Sequence, residues 1–417
     1  MDRVRHTLTM VILCASGGLI YGLPYLFEAF YIPTQQALGV SKSQMGMLMG
    51  VFGAVSLVAY FPGGWLADRV SPRKLITIAL LTTGVSGIYY ATLPGYALAL
   101  ALHALWGISI TLAFWGAMIK ATRNWAPSEQ QGRAFGILEG GRGLSTAIVF
   151  SLLLALFAWL GSTRAALASV ILCYAAINIV LGLAAWVILD DGTVDRDDAP
   201  RLARSKVGWK EIRLVLRMPA VWLTALIIVA TNCAYWASYY FTPYASDVFL
   251  LSVAIAGALA AGRNWISPVA AITTGVIADR FGISRTVAVG LLLTAISFLL
   301  FAMTPASQVL LPLVVVNGAV AALCIFGLRG IYFALLDEQG IPLALTGTAA
   351  GVISAVGFVP DIFMPVLGGA LLDAYPGLPG YRLMFGAIAA MAVFGFLAAC
   401  LIGRRQRADH AVGVGAT

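Results

Sequence analysis

Twelve runs of roughly 20 apolar residues, separated by short stretches of proline, glycine and charge, take up most of this 417-residue chain. Their approximate limits are 8–32, 43–67, 74–93, 96–120, 133–160, 165–189, 219–245, 250–278, 285–304, 307–333, 347–373 and 380–403. Hydrocarbon offers no water to a backbone amide, so a chain crossing it closes its hydrogen bonds within a helix or around a sealed barrel. No run alternates apolar and polar residues at period two, which leaves the helix. Pro33, Pro94, Pro127, Pro219, Pro305, Pro342 and Pro379 sit at or near run ends, where a missing amide donor is harmless. With 60% apolar and 11% charged residues, the chain has too little charge to cover a water-soluble surface. The expected fold class is an all-α integral membrane protein with twelve transmembrane helices.

The placement of the basic residues sets the orientation. With the N-terminus in the cytoplasm, one side holds Arg3 and Arg5; Arg69, Arg73 and Lys74; Arg123 and Arg133; Arg280 and Arg285; and Arg404, Arg405 and Arg407. The other side keeps little beyond Lys42, Arg164 and Arg382. Positive-inside asymmetry of this kind predicts both termini in the cytoplasm, in a bacterial inner membrane. It also accounts for the net charge of +8 without a nucleic-acid partner. The five cysteines, Cys14, Cys173, Cys233, Cys324 and Cys400, lie inside apolar runs without ligand spacing, so neither a disulfide framework nor a metal site is expected. The first run lacks a small-residue cleavage site and reads as a permanent helix.

Gly64-Trp65-Leu66-Ala67-Asp68-Arg69, followed by Arg73 and Lys74, forms a charged turn between the second and third runs. The pattern returns as Gly275-Val276-Ile277-Ala278-Asp279-Arg280, with Gly282 and Arg285 behind it, 211 positions later between the eighth and ninth runs. A second repeat follows: Lys120 precedes Glu129-Gln130 by nine positions, and Arg329 precedes Glu338-Gln339 by the same nine. Two repeats half a chain apart point to internal duplication. Gly63 and Gly64 are expected to let a neighbouring backbone approach the turn.

The first turn resembles the signature between helices 2 and 3 of the major facilitator superfamily, and the second resembles that family's weaker copy between helices 8 and 9. Ser71-Pro72 stands where the family usually has glycine. The resemblance implies two pseudo-symmetric six-helix bundles, over residues 1–189 and 218–417, joined by a cytoplasmic linker at 190–217. It also implies secondary transport by alternating access, with no cofactor. The linker opens acidic and turns basic, and reads as a solvated connection.

Charges within hydrocarbon are costly and mark sites. The candidates are Glu28, Lys120, Glu139, Arg142, Arg263, Arg329 and Asp361, with His103 as a titratable addition. Arg263, followed by Asn264 about midway along the eighth run, offers a planar donor fork suited to carboxylate or phosphate. A structural ion pair with Asp361 is the alternative. Lys120 and Arg329 lie nearer the cytoplasmic side, as an anion funnel or an inner latch. Glu139 and Arg142, at i and i+3, are expected to pair with each other, while Gly136, Gly140, Gly141 and Gly143 around them suit close helix packing. By resemblance, a basic residue in helix 8 fits the family's organic-anion branches. His103, by the same resemblance, replaces the helix-4 arginine of proton-coupled drug exporters.

Tyr21, Tyr25 and Glu28 share one helical face at i, i+4 and i+7, and Asn232, Trp236 and Tyr239 repeat that spacing 211 positions later, beside Tyr235. By resemblance these first and seventh helices line the substrate path. Substrate contacts are thus expected from Arg263, Asn264, Tyr25, Tyr21, Asn232, Trp236, Tyr235, Lys120 and Arg329. Coupling or gating is expected from Glu28, His103, Glu139, Arg142, Asp361, Asp68, Arg69, Asp279 and Arg280. The substrate class is a small organic anion, a carboxylate or a phosphorylated metabolite, moved with protons or by anion exchange by a monomer in the bilayer. Export of lipophilic or cationic compounds is the alternative. A nucleophile–base constellation or nucleotide motif is missing, so an enzyme is not expected.

Overall fold

A computed structural model describes residues 2–126, 131–190, 209–339, 341 and 343–414, and all secondary structure among them is helical. The first expected span is a broken helix: α1 (Asp2–Leu19), a 3-10 turn at Ile20–Gly22, and α2 (Phe27–Leu38). Then come α3 (Lys42–Arg69), α4 (Pro72–Tyr90), α5 (Tyr96–Ile108) and α6 (Gly116–Trp125), the last two joined by a π-helical stretch at Ser109–Trp115. α7 (Gln131–Trp159) and α8 (Arg164–Ile188) complete the N-terminal half of the sequence. A short α9 (Trp209–Leu216) precedes the seventh span, which breaks into α10 (Pro219–Ser238) and α11 (Phe241–Phe249). α12 (Val253–Phe281), α13 (Ile283–Met303) and α14 (Leu311–Ile331) are continuous, and α15 (Leu335–Glu338) is a single turn. The eleventh span breaks into α16 (Leu343–Gly357) and α17 (Pro360–Ala374), and α18 (Leu378–Val414) closes the chain.

Every expected span therefore coincides with a helix or with consecutive helices. Among the described residues, ten stretches are long and apolar enough to cross a membrane. α4 and α12 fall outside that set, since α4 opens on Arg73 and Lys74 and α12 carries Arg263 and Asn264 along its length. Many large apolar side chains face outward, among them Val180, Leu183, Val187, Val289 and Ile296. An apolar exterior on this scale suits lipid rather than water.

The breaks have local causes. The α16–α17 break falls at Pro360, which takes the first helical position of α17, where its missing N–H costs nothing. In the first span the bonds tighten to Leu26 N–H to Leu23 and Glu28 N–H to Tyr25, both i to i+3, and Phe30 leaves helical geometry altogether at φ −110° and ψ 33°. The expected continuous face through Tyr21, Tyr25 and Glu28 is thus interrupted: regular pitch stops before Glu28.

The charged turns are solved in two ways. In the first, Ser71 caps α4 by accepting from the Lys74 amide at 3.4 Å and Pro72 starts the helix, which explains why Ser-Pro serves where glycine is usual. In the second, Gly282 adopts φ +91° between α12 and α13. Gly63 does admit a neighbour, since a Cβ there would lie 2.9 Å from the Thr111 carbonyl oxygen, but Gly64 faces open space. Similarly, of the glycines on α7, Gly141 meets Cys14 of α1, whereas Gly136, Gly140 and Gly143 have nothing within 4 Å. Their expected packing role is corrected to Gly141 alone, because the other three point off the contact.

The chain divides into two compact units. The first comprises residues 1–203 with 251–265 and 365–370. There α4 packs on α8, α1 on α7, and α3 on α5 and the π-helical stretch. The second comprises residues 204–250, 266–364 and 371–417, with α13 and α10 packed on α18 and α10 also against α16. Its interior includes an apolar cluster around Ile228, Val287, Leu291 and Leu328, and an aromatic cluster of Phe241, Tyr244, Phe298, Phe301, Tyr381 and Phe385.

Candidate functional site

Within the first unit, Glu28 in the first turn of α2 meets Arg263 and Asn264 on α12. Arg263 Nη2 donates to Glu28 Oε1, and Asn264 Nδ2 donates to that same oxygen at 2.9 Å. Glu28 is 7% and Arg263 5% exposed, so the pair is almost fully desolvated. The local sequence puts them there. Gly257, nearly two turns before Arg263, lets α12 close on α7, because a Cβ at that position would lie 2.7 Å from the Leu154 side chain. The Trp265 indole then anchors α12 to Ser151 of α7 at 3.2 Å. Tyr25 packs edge-on against Tyr21 and Phe52, and stacks against Phe27, just ahead of the carboxylate.

In the second unit a separate polar network gathers the residues expected on the seventh, tenth and eleventh spans. Asn232, wholly buried on α10, accepts from Arg329 Nη1 at 2.6 Å through Oδ1. Its Nδ2 donates to the Gly357 carbonyl at 2.9 Å. That carbonyl has lost its helical donor at the α16–α17 break, because the Asp361 amide bonds Phe358 instead. The Arg329 guanidinium lies 3.9 Å from the centre of the Tyr235 ring, and the Tyr235 hydroxyl shares a 2.6 Å bond with that of Tyr239. Asp361 accepts from the Trp236 indole at 2.7 Å. Arg329 is thus met at close range by the Asn232 amide and the Tyr235 ring, with the Asp361 carboxylate within electrostatic range. Arg263 pairs with Glu28, and Asp361 accepts from the Trp236 indole.

The remaining candidates lie outside both constellations. Glu139 and Arg142 pair with each other at 2.6 Å, and Arg142 also donates to the Gly17 carbonyl and covers the Trp115 ring. Lys120 donates to the Ala67 carbonyl at 2.7 Å, in the last turn of α3, where the helix dipole favours a cation. His103 is buried, bonds the Ala99 carbonyl at 2.8 Å and packs between Tyr90 and Trp106, a local structural setting. Arg69 turns back over Trp65 on its own helix. Asp279 and Arg280 are exposed, while the Asp68 side chain lies outside the described residues, as do Glu129 and Gln130. Sequence reasoning left Glu338 out of the site set. It accepts from both the amide and the hydroxyl of Ser284, at 2.7 and 2.6 Å, and so caps α13 at the second charged turn. The signal was present in the Arg329–Glu338 repeat.

Chemically, the first constellation is a two-donor fork closed on a carboxylate oxygen, and the second is a cation set among an amide, aromatic rings and the nearby Asp361 carboxylate. The sequence pattern of the Major Facilitator Superfamily matches residues 7–262. The chain is 29% identical over 404 residues to the inner membrane protein YihN of Escherichia coli (strain K12), covering 95% of this chain and 94% of that one. It is 22% identical over 420 residues to the probable galactarate/D-glucarate transporter GudP of Bacillus subtilis (strain 168), covering 89% and 86%. Its fold matches the crystal structure of a bacterial homologue of the human lysosomal transporter Spinster with a TM-score of 0.76, 16% identity and 97% of each chain covered.

Proposed function

The chain belongs to the major facilitator superfamily of membrane transporters, which are not enzymes, and from that premise we propose that it moves a small organic anion across the membrane by alternating access. The observation that carries this reading is the convergence of Arg263 and Asn264 on a single carboxylate oxygen in a nearly dry site. A guanidinium and an amide aimed together form the donor set that a carboxylate or phosphate needs on leaving water. The relationship to a probable transporter of galactarate and D-glucarate supports the same chemistry. In this reading the two halves of the sequence, 1–189 and 218–417, rock about the site, both termini face the cytoplasm, and the anion moves with protons or in exchange for a second anion. Arg329, bounded by Asn232 and Tyr235, supplies a second positive station.

One observation favours the alternative, export of lipophilic or cationic compounds: Asp361 lies in a setting of Trp236, Tyr235 and Tyr239. Thermal stabilisation of the purified protein separates the two, because a ligand stabilises in proportion to the logarithm of its concentration over Kd. Carboxylates, sugar phosphates and cationic dyes are compared on wild type and Arg263→Lys, which keeps a charge for Glu28 but removes the planar fork. The anion reading expects an anion to raise Tm in wild type and much less in the variant. If only dyes stabilise, and equally in both proteins, export replaces it.

A further inference from the structure

We propose that Glu28 is a built-in competitor for the anion site: its carboxylate fills the Arg263–Asn264 fork in the place of the substrate's own, so the substrate class is carboxylates rather than phosphate esters. The inference rests on the anion reading above and narrows it.

Three features support the assignment. First, the two donors meet on one oxygen, Glu28 Oε1, which defines where a ligand carboxylate oxygen must sit to be recognised. Second, the donors come from consecutive residues of one unbroken helix, α12, while the acceptor comes from the broken span. Glu28 follows a 3-10 turn and i to i+3 bonds, and precedes Phe30 with its non-helical backbone. The acceptor is therefore the partner built to move. Third, the pair is nearly dry, and removing one charge from such a pair leaves the other uncompensated. An arriving carboxylate replaces Glu28 without exposing Arg263 to that penalty, because it brings the same charge to the same donors. A phosphate ester brings a bulkier tetrahedral group and up to two charges to a fork that holds one flat monoanionic group.

Glu28 at the fork acts as a tethered ligand, present at an effective concentration that any free anion must overcome. Removing its charge while keeping its shape should therefore tighten substrate binding, the reverse of what loss of a structural partner does.

The test is isothermal titration of the purified full-length protein with gluconate and with glucose 6-phosphate, on wild type, Glu28→Gln, Glu28→Asp and Arg263→Lys. The proposal expects gluconate to bind Glu28→Gln with a Kd about tenfold or more below wild type. Glu28→Asp, whose shorter side chain reaches the fork poorly, should shift in the same direction by less, and it carries the test should Glu28→Gln fail to fold. Gluconate binding that is lost in Arg263→Lys but unchanged or weaker in both Glu28 variants overturns the competitor while leaving the anion reading intact. Tightening confined to glucose 6-phosphate overturns the carboxylate assignment. Absence of anion binding in wild type and in every Glu28 variant overturns both together.

Discussion

The Arg329 guanidinium and the Gly357 carbonyl are tied to one another through a single amide: Asn232 accepts from the first at 2.6 Å and donates to the second at 2.9 Å. The side chain thus joins α14 to the break between α16 and α17, with its oxygen and nitrogen assigned by opposite demands.

Replacing Asn232 by Leu keeps the volume and removes both bonds. A buried carbonyl and a buried guanidinium each lose a partner, so folding stability should fall by about 2–4 kcal/mol. Thermal unfolding in detergent measures it. A Tm equal to wild type would mean that neither bond holds the α16–α17 break in place.

Trp236→Phe preserves an aromatic body but withdraws the indole donor from Asp361, 2.7 Å away. Loss of one hydrogen bond to a charged group costs about 1.5–3 kcal/mol. The further change Asp361→Asn in the Trp236→Phe protein should cost less than it does alone, and a double-mutant cycle on Tm reads that coupling. Additive costs would contradict the bond.

At Gly46 a Cβ would fall 2.0 Å from the carbonyl oxygen of Pro365, and at Gly369 one would fall 2.2 Å from that of Lys42. These contacts bring α3 and the 365–370 segment together backbone to backbone within the first unit. Gly46→Val should force them apart at a cost of about 1–3 kcal/mol. Transport in vesicles should change with it, whereas Gly64→Val, facing open space, should leave both stability and transport near wild type.

Glu338→Ala removes the acceptor that caps α13 through the Ser284 amide and hydroxyl. The expected loss is about 1–2 kcal/mol. Because Gly282 beside it holds φ +91°, Gly282→Ala should also destabilise, through backbone strain rather than a lost bond. Both are read from Tm, and a silent Glu338→Ala would remove the cap from the account of this turn.

What the sequence disclosed follows from how far apart the interacting groups lie along it. The twelve spans are local sums of apolarity, and the Glu139–Arg142 pair is one helical turn apart, so both could be read directly. Arg263 announced itself as a charge in an apolar run. Its partner did not, because Glu28 lies 235 residues away and no periodicity links them. The same holds for Trp236 with Asp361 and for Asn232 with Arg329. The interrupted face at Glu28 did have a local signal: Pro24, at the centre of the break, has no amide to donate to Ile20, and Gly22 beside it is pressed against the Tyr174 ring of α8.

The π-helical stretch at Ser109–Trp115 has a mechanical meaning. Asp68 and Lys120 are 52 positions apart, and their counterparts Asp279 and Arg329 only 50, so the first repeat carries surplus length. A wide turn stores one residue without lengthening the rod. Taking one residue out of Ser109–Trp115 would therefore let the turn relax to regular pitch, whereas taking one out of Gly116–Ile119, in the regular turns of α6, would act as a torsion. At 3.6 residues per turn, everything beyond that second cut would swivel by about 100° about its own axis. Lys120 would then leave the Ala67 carbonyl for a different compass bearing, while the cut in the wide turn would leave it in place.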